Sequence, residues 1–247
     1  VRNWSPIWAD HGIRILPGPS SLWLDATGAR LPAPYYPGFD TLGTLRHLRA
    51  TGYDHSWFVL TRRIVEKEFA LSGSEQNPDL TGRDLRLIAG RLRGGAPAPV
   101  AAFLEHGEDF VVADTLGELV AKMNALVGDG SVSLDAVTAS ATRYDARIDL
   151  GPRFHNDDQL RRIEFARRWM GDRLRTCKFQ KILDPRAGPL VAIREFIISR
   201  KSMGGLQTDL SSRVLDRAGQ PIPGLYAAGE SAGFGGGGMN GKRGLEG

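Results

Sequence analysis

The sequence predicts an α/β fold, and three observations lead to this class. Short strand-like apolar runs lie near both ends of the chain, a long stretch with helical periodicity lies between them, and a last short strand leads into a glycine-rich loop. The chain has 247 residues, which is enough for one large domain or two ordinary ones. Of its 31 glycines, 13 fall between Gly204 and Gly247, so the glycine-rich end is the most unusual part of the composition.

Composition and charge exclude several classes of protein. Apolar residues make up 41% of the chain and charged residues 24%, a balance typical of globular chains and not of disordered, collagenous or coiled-coil ones. No apolar run reaches about 18 residues, so no membrane span is predicted. The formal net charge of +4 suits an anionic ligand without requiring nucleic acid. The single cysteine, Cys177, has no internal disulfide partner, and we therefore expect a reducing, cytoplasmic location.

The first 40 residues are expected to be extended. Residues 22–24 form a short apolar run, and residues 25–28 have the composition of a turn. The proline-rich residues 32–37 then exclude a helix or an internal strand. Because this stretch also contains Tyr35 and Tyr36, it is a candidate domain boundary.

The middle of the chain is expected to be mostly helical, with one short strand at residues 57–60. The clearest helix begins at Thr115, where Thr115 and Glu118 match a capping box and an apolar stripe follows until Gly128. Further helices are predicted at residues 42–48, 61–71, 84–91, 100–105, 134–148 and 157–170.

Strands return in the last quarter of the chain. Residues 190–198 are rich in β-branched side chains, and residues 206–210 and 214–216 flank a short polar link. A turn is predicted at residues 218–221. Residues 225–228 are then expected to form a short buried strand that leads into the glycine loop.

The glycine loop at residues 233–241 matches two phosphate-binding patterns. Residues 236–241 fit G-x-G-x-x-G, but no acidic residue stands about 20 positions further on. Residues 236–242 fit most of a P-loop, but Arg243 stands where Ser or Thr should ligate Mg²⁺. A flexible surface linker is a third interpretation. The interpretation that we favour is a backbone that passes very close to a flat or anionic ligand, where a Cβ atom would obstruct the approach.

The sequence lacks the motifs of metal sites, of α/β-hydrolases and of nucleic-acid-binding surfaces. The five histidines form no HExxH or Cys–His pattern, so no metal site is predicted. No G-x-S-x-G elbow is present. The arginines between residues 161 and 175 alternate with acids at pairing distance, which indicates a solvated helix face and not a nucleic-acid surface.

Two segments near the end of the chain resemble a known family. Residues 201–209 (Lys-Ser-Met-Gly-Gly-Leu-Gln-Thr-Asp) and residues 218–230 (Ala-Gly-Gln-Pro-Ile-Pro-Gly-Leu-Tyr-Ala-Ala-Gly-Glu) are similar to the last FAD-binding segment of the fumarate reductase/succinate dehydrogenase flavoprotein superfamily. That superfamily includes the 3-ketosteroid dehydrogenases. Residues 113–119 and 142–145 resemble its capping domain. The likeness is greatest to bacterial FAD-binding dehydrogenases related to the ketosteroid dehydrogenases.

The resemblance implies a domain organisation. Residues 1–42 and 182–247 would be parts of a Rossmann-like FAD-binding domain, and residues 43–181 would be an inserted, α-rich capping domain that holds the substrate. The family's N-terminal dinucleotide-binding unit would lie before Val1. We therefore expect this chain to be a fragment that is inactive by itself and does not bind FAD tightly.

The resemblance also implies cofactor-binding residues, with FAD as the cofactor. Glu230 would accept hydrogen bonds from ribityl or ribose hydroxyls, since a carboxylate can accept two. Glycine backbone would lie against the flavin ring and stabilise negative charge on it. The implied set is Gly204, Gly205, Gly229, Glu230, Gly235, Gly236, Gly237, Gly238, Asn240 and Gly241.

The substrate-side residues depart from the family pattern. The histidine of dicarboxylate reductases is replaced here by the segment from Arg200 to Ser202, and the tyrosine of the steroid dehydrogenases has only Phe234 near its place. Candidates for polarising the substrate or moving a proton are Lys201, Arg243, Arg200, Tyr35 and Tyr36. For Tyr35 and Tyr36, a structural role in packing at the domain junction is an equal alternative to a role at the substrate. For Arg200, the equal alternative is a simple ion pair.

The function implied is that of a flavin-dependent dehydrogenase or reductase. It would move a hydride between FAD and an activated C–C bond of an apolar, possibly ketosteroid-like small molecule, and exchange electrons with a further donor or acceptor. The alternative is a non-catalytic α/β interaction or regulatory module that has lost its nucleotide-binding unit.

Overall fold

The fold is described from a computed structural model, which describes residues 2, 15–16, 18–35, 41–71, 86, 89–90, 95–168, 173, 176–197 and 205–232. The strands are β1 (Ile15–Leu16), β2 (Leu22–Asp25), β3 (His55–Thr61), β4 (Ala70–Leu71), β5 (Phe110–Ala113), β6 (Leu190–Phe196), β7 (Arg213–Leu215) and β8 (Pro221–Tyr226). The helices are α1 (Thr41–Ala50), α2 (Arg62–Glu68), α3 (Ala98–His106), α4 (Leu116–Val127), α5 (Leu134–Asp149) and α6 (Asp158–Ala166). Short 3₁₀ turns span Pro152–Phe154, Pro185–Ala187 and Gly229–Ala232.

A four-stranded antiparallel sheet in the order β2-β3-β6-β5 forms the centre of the molecule. Trp57 of β3 lies opposite Leu24 of β2 and Arg194 of β6. Every residue of β3 is buried, because strands cover both of its edges and helices pack over its faces. This explains why residues 57–60 form a nearly continuous apolar run instead of an alternating one. The predicted strand is confirmed.

Helix α4 begins and ends where local sequence signals place it. The Thr115 hydroxyl accepts a hydrogen bond from the Glu118 amide, and Gly128 ends the helix with φ of 81°. The Glu118 carboxylate accepts a bond of 3.4 Å from the Asp114 amide, one residue before the position that a reciprocal capping box would use. Leu119, Val120 and Met123 are the buried residues of this helix, which confirms the predicted apolar stripe.

Helix α2 is shorter than the predicted helix over residues 61–71. Thr61 caps its start by accepting from the Ile64 amide, and the chain becomes extended at Phe69. Residues Ala70–Leu71 then pair with β1 as a two-stranded antiparallel sheet. A long-range pairing therefore overrides helical periodicity at the end of this segment.

The β7–β8 hairpin confirms the predicted turn at residues 218–221. The Asp216 carboxylate accepts hydrogen bonds from two turn amides, and Gly219 has φ of 76°. The prediction of a buried strand at residues 225–228 is wrong: Leu225 is 43% and Tyr226 64% exposed, and the strand ends at Tyr226. Among the described residues the hairpin is a separate two-stranded sheet, so β8 lacks the second layer that burial requires.

The described strands come from all three predicted domain segments. Strand β2 lies within residues 1–42, β3 and β5 lie within residues 43–181, and β6 lies within residues 182–247, yet they form one sheet. The mixed α/β class is confirmed, while every described strand pair is antiparallel. The division into an FAD-binding and a capping domain stays a prediction. Within the described part of the chain, no helix has the length and apolarity that a bilayer crossing needs.

Candidate functional site

The structure brings together two segments that the resemblance assigns to flavin binding, one at Gly205 and one at Gly229. The backbone amide of Leu206 donates to the carbonyl of Ser231 over 2.9 Å. Leu206 follows the paired glycines, and Ser231 lies in the 3₁₀ turn that begins at Gly229. Gly205 and Gly229 are both exposed. The two segments therefore present exposed backbone side by side, just after strand β8.

Gly229, one of the cofactor-binding glycines that the resemblance implies, has a positive φ. Its φ is 61°, in the left-handed region that side-chain-bearing residues rarely adopt. A Cβ atom added there would meet no other atom within 4 Å, so the space beside the turn is open. An exposed glycine turn followed by the acid Glu230 suits a cofactor with several hydroxyl groups, because a carboxylate accepts such hydrogen bonds. The open backbone at Gly229 leaves room for a cofactor beside it, and the role of Glu230 stays a prediction.

Most of the other predicted site residues lie outside the described part of the chain, and their roles stay predictions. These are Tyr36, Arg200, Lys201, Gly204, Gly235, Gly236, Gly237, Gly238, Asn240, Gly241, Arg243 and the side chain of Glu230.

Tyr35 is the one substrate-side candidate that the structure describes. Its ring stacks on the imidazole of His47, with ring centroids 5.2 Å apart and an interplanar angle of 30°. Its amide donates to the Pro32 carbonyl over 2.8 Å. The ring is partly buried against helix α1. This position is compatible with a role in polarising the substrate or moving a proton, and equally with packing at the domain junction.

A buried carboxylate, Glu68, organises the interior near strand β2. It accepts from the Ser20 amide at 2.9 Å, from the Ser20 hydroxyl at 2.6 Å and from the Cys177 amide at 2.5 Å. Burial raises the pKa of Glu68, and these hydrogen bonds oppose that rise. Burial, with the nearby Glu68 charge, also raises the pKa of the Cys177 thiol to about 12. Cys177 is therefore a protonated, inert thiol at neutral pH.

Asp109 lies between two arginines and is fully buried. Arg194 donates to it through Nη2 at 2.9 Å, and Arg2 donates through its backbone amide at 2.6 Å and through its guanidinium. Burial alone would raise the pKa of Asp109, but hydrogen bonds from Arg2 and Arg194 outweigh it and lower the pKa. This ion-pair cluster joins residue 2 to strands β5 and β6 of the central sheet.

Glu195 is a second perturbed acid that the sequence reasoning missed. It lies opposite Ser56 in the central sheet, and its Oε1 atom is buried without a hydrogen-bond partner. Burial raises the pKa of Glu195 to about 7. The signal in the sequence was an acidic residue inside a β-branched run. No group of acids, histidines and cysteines arranged for a metal ion occurs among the described residues.

Comparison with protein-family models shows which family the chain belongs to. The model of the FAD binding domain matches residues 1–247. The chain belongs to the FAD binding domain family. The predicted cofactor, FAD, and the flavoprotein resemblance are thereby confirmed, and the alternative of a non-catalytic interaction or regulatory module that has lost its nucleotide-binding unit is not favoured.

Curated relatives extend this similarity. The chain is 54% identical over 248 residues to a KsdD-like steroid dehydrogenase of Mycolicibacterium smegmatis, covering 100% of this chain and 45% of that protein. A KsdD-like steroid dehydrogenase of Mycobacterium tuberculosis is 53% identical, with 100% and 44% covered. The chain therefore spans a little under half the length of these relatives.

Solved structures are more distant. A 3-ketosteroid Δ1-dehydrogenase of Sterolibacterium denitrificans in complex with 1,4-androstadiene-3,17-dione gives a TM-score of 0.49 at 18% identity, covering 88% of this chain and 34% of that one. The open conformation of a flavocytochrome c3 fumarate reductase gives a TM-score of 0.42 at 15% identity, covering 90% and 28%.

Proposed function

We propose that the full-length protein containing this chain is an FAD-dependent dehydrogenase or reductase that acts on an activated C–C bond of an apolar, ketosteroid-like small molecule. The observation that carries this proposal is the 54% identity, over the whole chain, to a relative described as a KsdD-like steroid dehydrogenase. A further electron donor or acceptor and a cytoplasmic location are parts of the same proposal.

The geometry supports a flavin-side role for the end of the described chain. The Leu206–Ser231 hydrogen bond holds the segments at Gly205 and Gly229 together, so a ligand that contacts one segment is within reach of the other. Glu230, one residue after Gly229, would accept hydrogen bonds from the hydroxyls of FAD. The glycines of residues 235–241 would let the backbone lie against the flavin ring.

The chemistry divides between the cofactor and this chain. Bound FAD supplies a hydride donor or acceptor at its N5 atom. Lys201, Arg200 and Arg243 would polarise a carbonyl of the substrate, because positive charge stabilises the negative charge that develops on its oxygen. Tyr35 or Tyr36 would hold or move the second proton, which a phenolic hydroxyl can do when it lies within hydrogen-bond reach.

Closure of the capping region would complete this site. It would exclude water from the hydride-transfer step, which strengthens the electrostatic contribution of the three cationic side chains. The apolar substrate class follows from the relatives and from the absence of the histidine that dicarboxylate reductases carry.

The reaction is tested with the flavin of the full-length protein under anaerobic conditions. Mixing the protein with a panel of 3-ketosteroids is expected to bleach the flavin absorbance with at least one member. Dicarboxylates serve as the comparison panel. No bleaching by any 3-ketosteroid, together with bleaching or reoxidation by a dicarboxylate, would contradict the proposed substrate class.

The flavin site is tested separately by Glu230→Ala. Loss of hydrogen bonds to a carboxylate is expected to weaken FAD binding by about 1.5–3 kcal/mol, which is roughly tenfold or more in dissociation constant. Glu105→Ala removes an exposed glutamate of helix α3 and is the matched control, expected to leave FAD affinity unchanged. Equal affinities of the two variants in a fluorescence titration would remove Glu230 from the site.

The substrate side is tested by Lys201→Met and Arg243→Met in the full-length protein. Both variants are expected to keep the flavin and to lower kcat/KM. A reductive half-reaction at the unaltered rate in both would show that neither side chain faces the substrate.

A further inference from the structure

Residues 18–31 are attached to the middle of the chain on several sides. Strand β2, which lies within them, pairs with β3. The Ser20 hydroxyl donates over 2.6 Å to Glu68 of helix α2, and the Gln159 side chain of α6 donates over 2.6 Å to the Ser21 carbonyl. The resemblance assigns residues 18–31 to the FAD-binding domain, but these contacts fix them to residues that it assigns to the capping domain.

Arg30 fixes the end of this segment to two helices. Its guanidinium lies 2.6 Å from the carboxylate of Asp157, which caps the start of α6, and its Cζ atom lies 5.0 Å from the centre of the Tyr144 ring of α5. Its backbone amide donates over 3.1 Å to the Ser140 hydroxyl, which also belongs to α5. Because one residue contacts both helices, strand β2 cannot separate from α5 and α6 without breaking these contacts.

Residues 182–196 are attached to the same part of the molecule. The amides of Ile182 and Leu183 each donate over 2.8 Å to the Asp145 carboxylate of α5. Strand β6 pairs with β3 on one side and with β5 on the other. The described residues from 18 to 196 therefore form one packed unit, which we call the capping body. It extends beyond residues 43–181 in both directions.

Asp109 connects the start of the described chain with the end of the capping body. Its carboxylate accepts from the Arg2 amide over 2.6 Å and from the Arg2 Nη2 atom over 3.0 Å, and it accepts from the Arg194 Nη2 atom over 2.9 Å. Its backbone carbonyl also accepts from the Arg194 amide over 2.8 Å. Arg194 lies just before Phe196, where β6 ends. One buried carboxylate thus holds residue 2 beside the end of β6.

The burial of Asp109 makes this connection strong. The side chain of Asp109 is 0% exposed and that of Arg194 is 12% exposed, so salt screens their interaction much less than that of an exposed pair. Removal of either arginine would leave a buried negative charge short of a partner, which is costly. The contacts of Asp109 with Arg2 and Arg194 are therefore expected to persist while larger parts of the molecule move.

We propose that the Arg2–Asp109–Arg194 cluster is the pivot about which the capping body closes over the flavin side. Hinges of domain closure consist of a few residues at the ends of elements. A body inserted into another domain turns as a unit when the chain segments that lead into it and out of it stay side by side. The cluster meets both conditions. The inference rests on the proposed function and on the expectation that the dinucleotide-binding unit precedes Val1.

The pivot is tested by the access of iodide to the flavin of the full-length, FAD-loaded protein. Iodide quenches flavin fluorescence on contact, so the quenching constant reports how much of the time the capping body is open. Arg2→Met removes the guanidinium from Asp109 and is expected to raise the constant by about twofold or more, because a looser pivot populates open arrangements. Glu108→Gln is the matched control and should leave the constant unchanged, since Glu108 contacts the same guanidinium at 2.8 Å but is 63% exposed. Equal constants for Arg2→Met and the parent protein would overturn the proposal.

Asp109→Asn and Asp145→Asn separate the pivot from a general loss of stability. Each removes one negative charge from a buried carboxyl that accepts hydrogen bonds from backbone amides, and both are expected to lower the unfolding temperature. Only Asp109→Asn is expected to raise the quenching constant, since Asp145 binds the amides of residues 182 and 183 instead of the cluster. An equal rise in both variants would assign the effect to lower stability and overturn the proposal.

The measurement distinguishes a failure of the pivot from a failure of the proposed function. It uses bound FAD but no substrate, so a protein that reacts with no 3-ketosteroid still gives every quenching constant. Conversely, an unaltered constant in Arg2→Met refutes the pivot and leaves the substrate class untouched. Thermal unfolding verifies that each variant is folded at the temperature of the assay. If Asp109→Asn is not folded there, Arg2→Met decides the outcome, because its side chain is half exposed and its loss costs the fold little.

Discussion

The buried carboxyl of Glu195 is expected to make the stability of this protein fall as pH rises from acid to neutral. The group has a pKa of 4.5 when it is fully hydrated and about 7 in the folded chain. Burial is the main cause of this rise, and the charge of Asp109 adds to it. Because the folded pKa is the higher one, the unfolded chain loses its proton first, and deprotonation favours unfolding.

The size of the effect follows from the two pKa values. Below about pH 4.5 both states hold the proton, and Glu195 contributes no penalty. Between that pH and about 7 the free energy of unfolding falls by about 1.4 kcal/mol for each pH unit, and the total is on the order of 3 kcal/mol. Above pH 7 the contribution is constant.

Glu195→Gln removes the titration while it keeps the size and polarity of the side chain. Urea unfolding, followed by the fluorescence of the five tryptophans, is expected to show the variant more stable than the parent by about 3 kcal/mol at pH 8 and by about 1 kcal/mol or less at pH 5. Glu105→Gln, at an exposed position on helix α3, is the control and should follow the parent at both pH values. The reasoning is refuted if Glu195→Gln gives no relative gain between pH 5 and pH 8.

Three more substitutions test the packing and the polar contacts of the interior. Asp145→Ala leaves two backbone amides, each held at 2.8 Å, without their acceptor; we expect a loss of about 2–4 kcal/mol in urea unfolding, and an unchanged midpoint would contradict it. Gly28→Ala places a Cβ atom 2.6 Å from a valine methyl at φ of 93° and should lower the unfolding temperature clearly more than Gly128→Ala, whose Cβ would meet nothing within 4 Å; equal shifts would argue against the clash. Asp109→Asn is expected to cost about 3 kcal/mol, because it leaves the mostly buried Arg194 without its counter-charge, and a loss that disappears in high salt would indicate a surface effect instead.

The sequence predicted the elements whose signals are local. Helix α4 has its cap at Thr115 and its left-handed glycine at Gly128, and both act within one turn of the helix, so neither depends on the rest of the chain. Strand β4 was missed because its pairing with β1 joins residues more than 50 positions apart. No local pattern at Ala70 carries that information.

The candidate site likewise contains residues that the sequence could indicate and residues whose properties depend on distant parts of the chain. Gly229 and Glu230 were implied as cofactor-binding residues by the family resemblance, and their role stays a prediction; the structure shows that Gly229 has a positive φ. The perturbed acids Glu68 and Glu195 were missed, since the burial of a carboxyl depends on what distant segments bring to it. For Glu68 those segments are residues 20 and 177, which lie far from it in sequence in both directions.

The order of strands in the central sheet has a consequence for how the chain folds during synthesis. Strand β3 is central, and its two partners differ greatly in sequence distance: Phe58 lies opposite Trp23 on one side and Ile193 on the other. Ribosomes add about 5–20 residues per second, so roughly 130 further residues take on the order of 10 s. Throughout that interval strand β3, whose residues are all buried in the folded sheet, has one edge without a partner, and such an edge readily pairs with other chains. Folding of this sheet is therefore expected to be slow and to depend on chaperones that cover the β3 edge until β6 has been made.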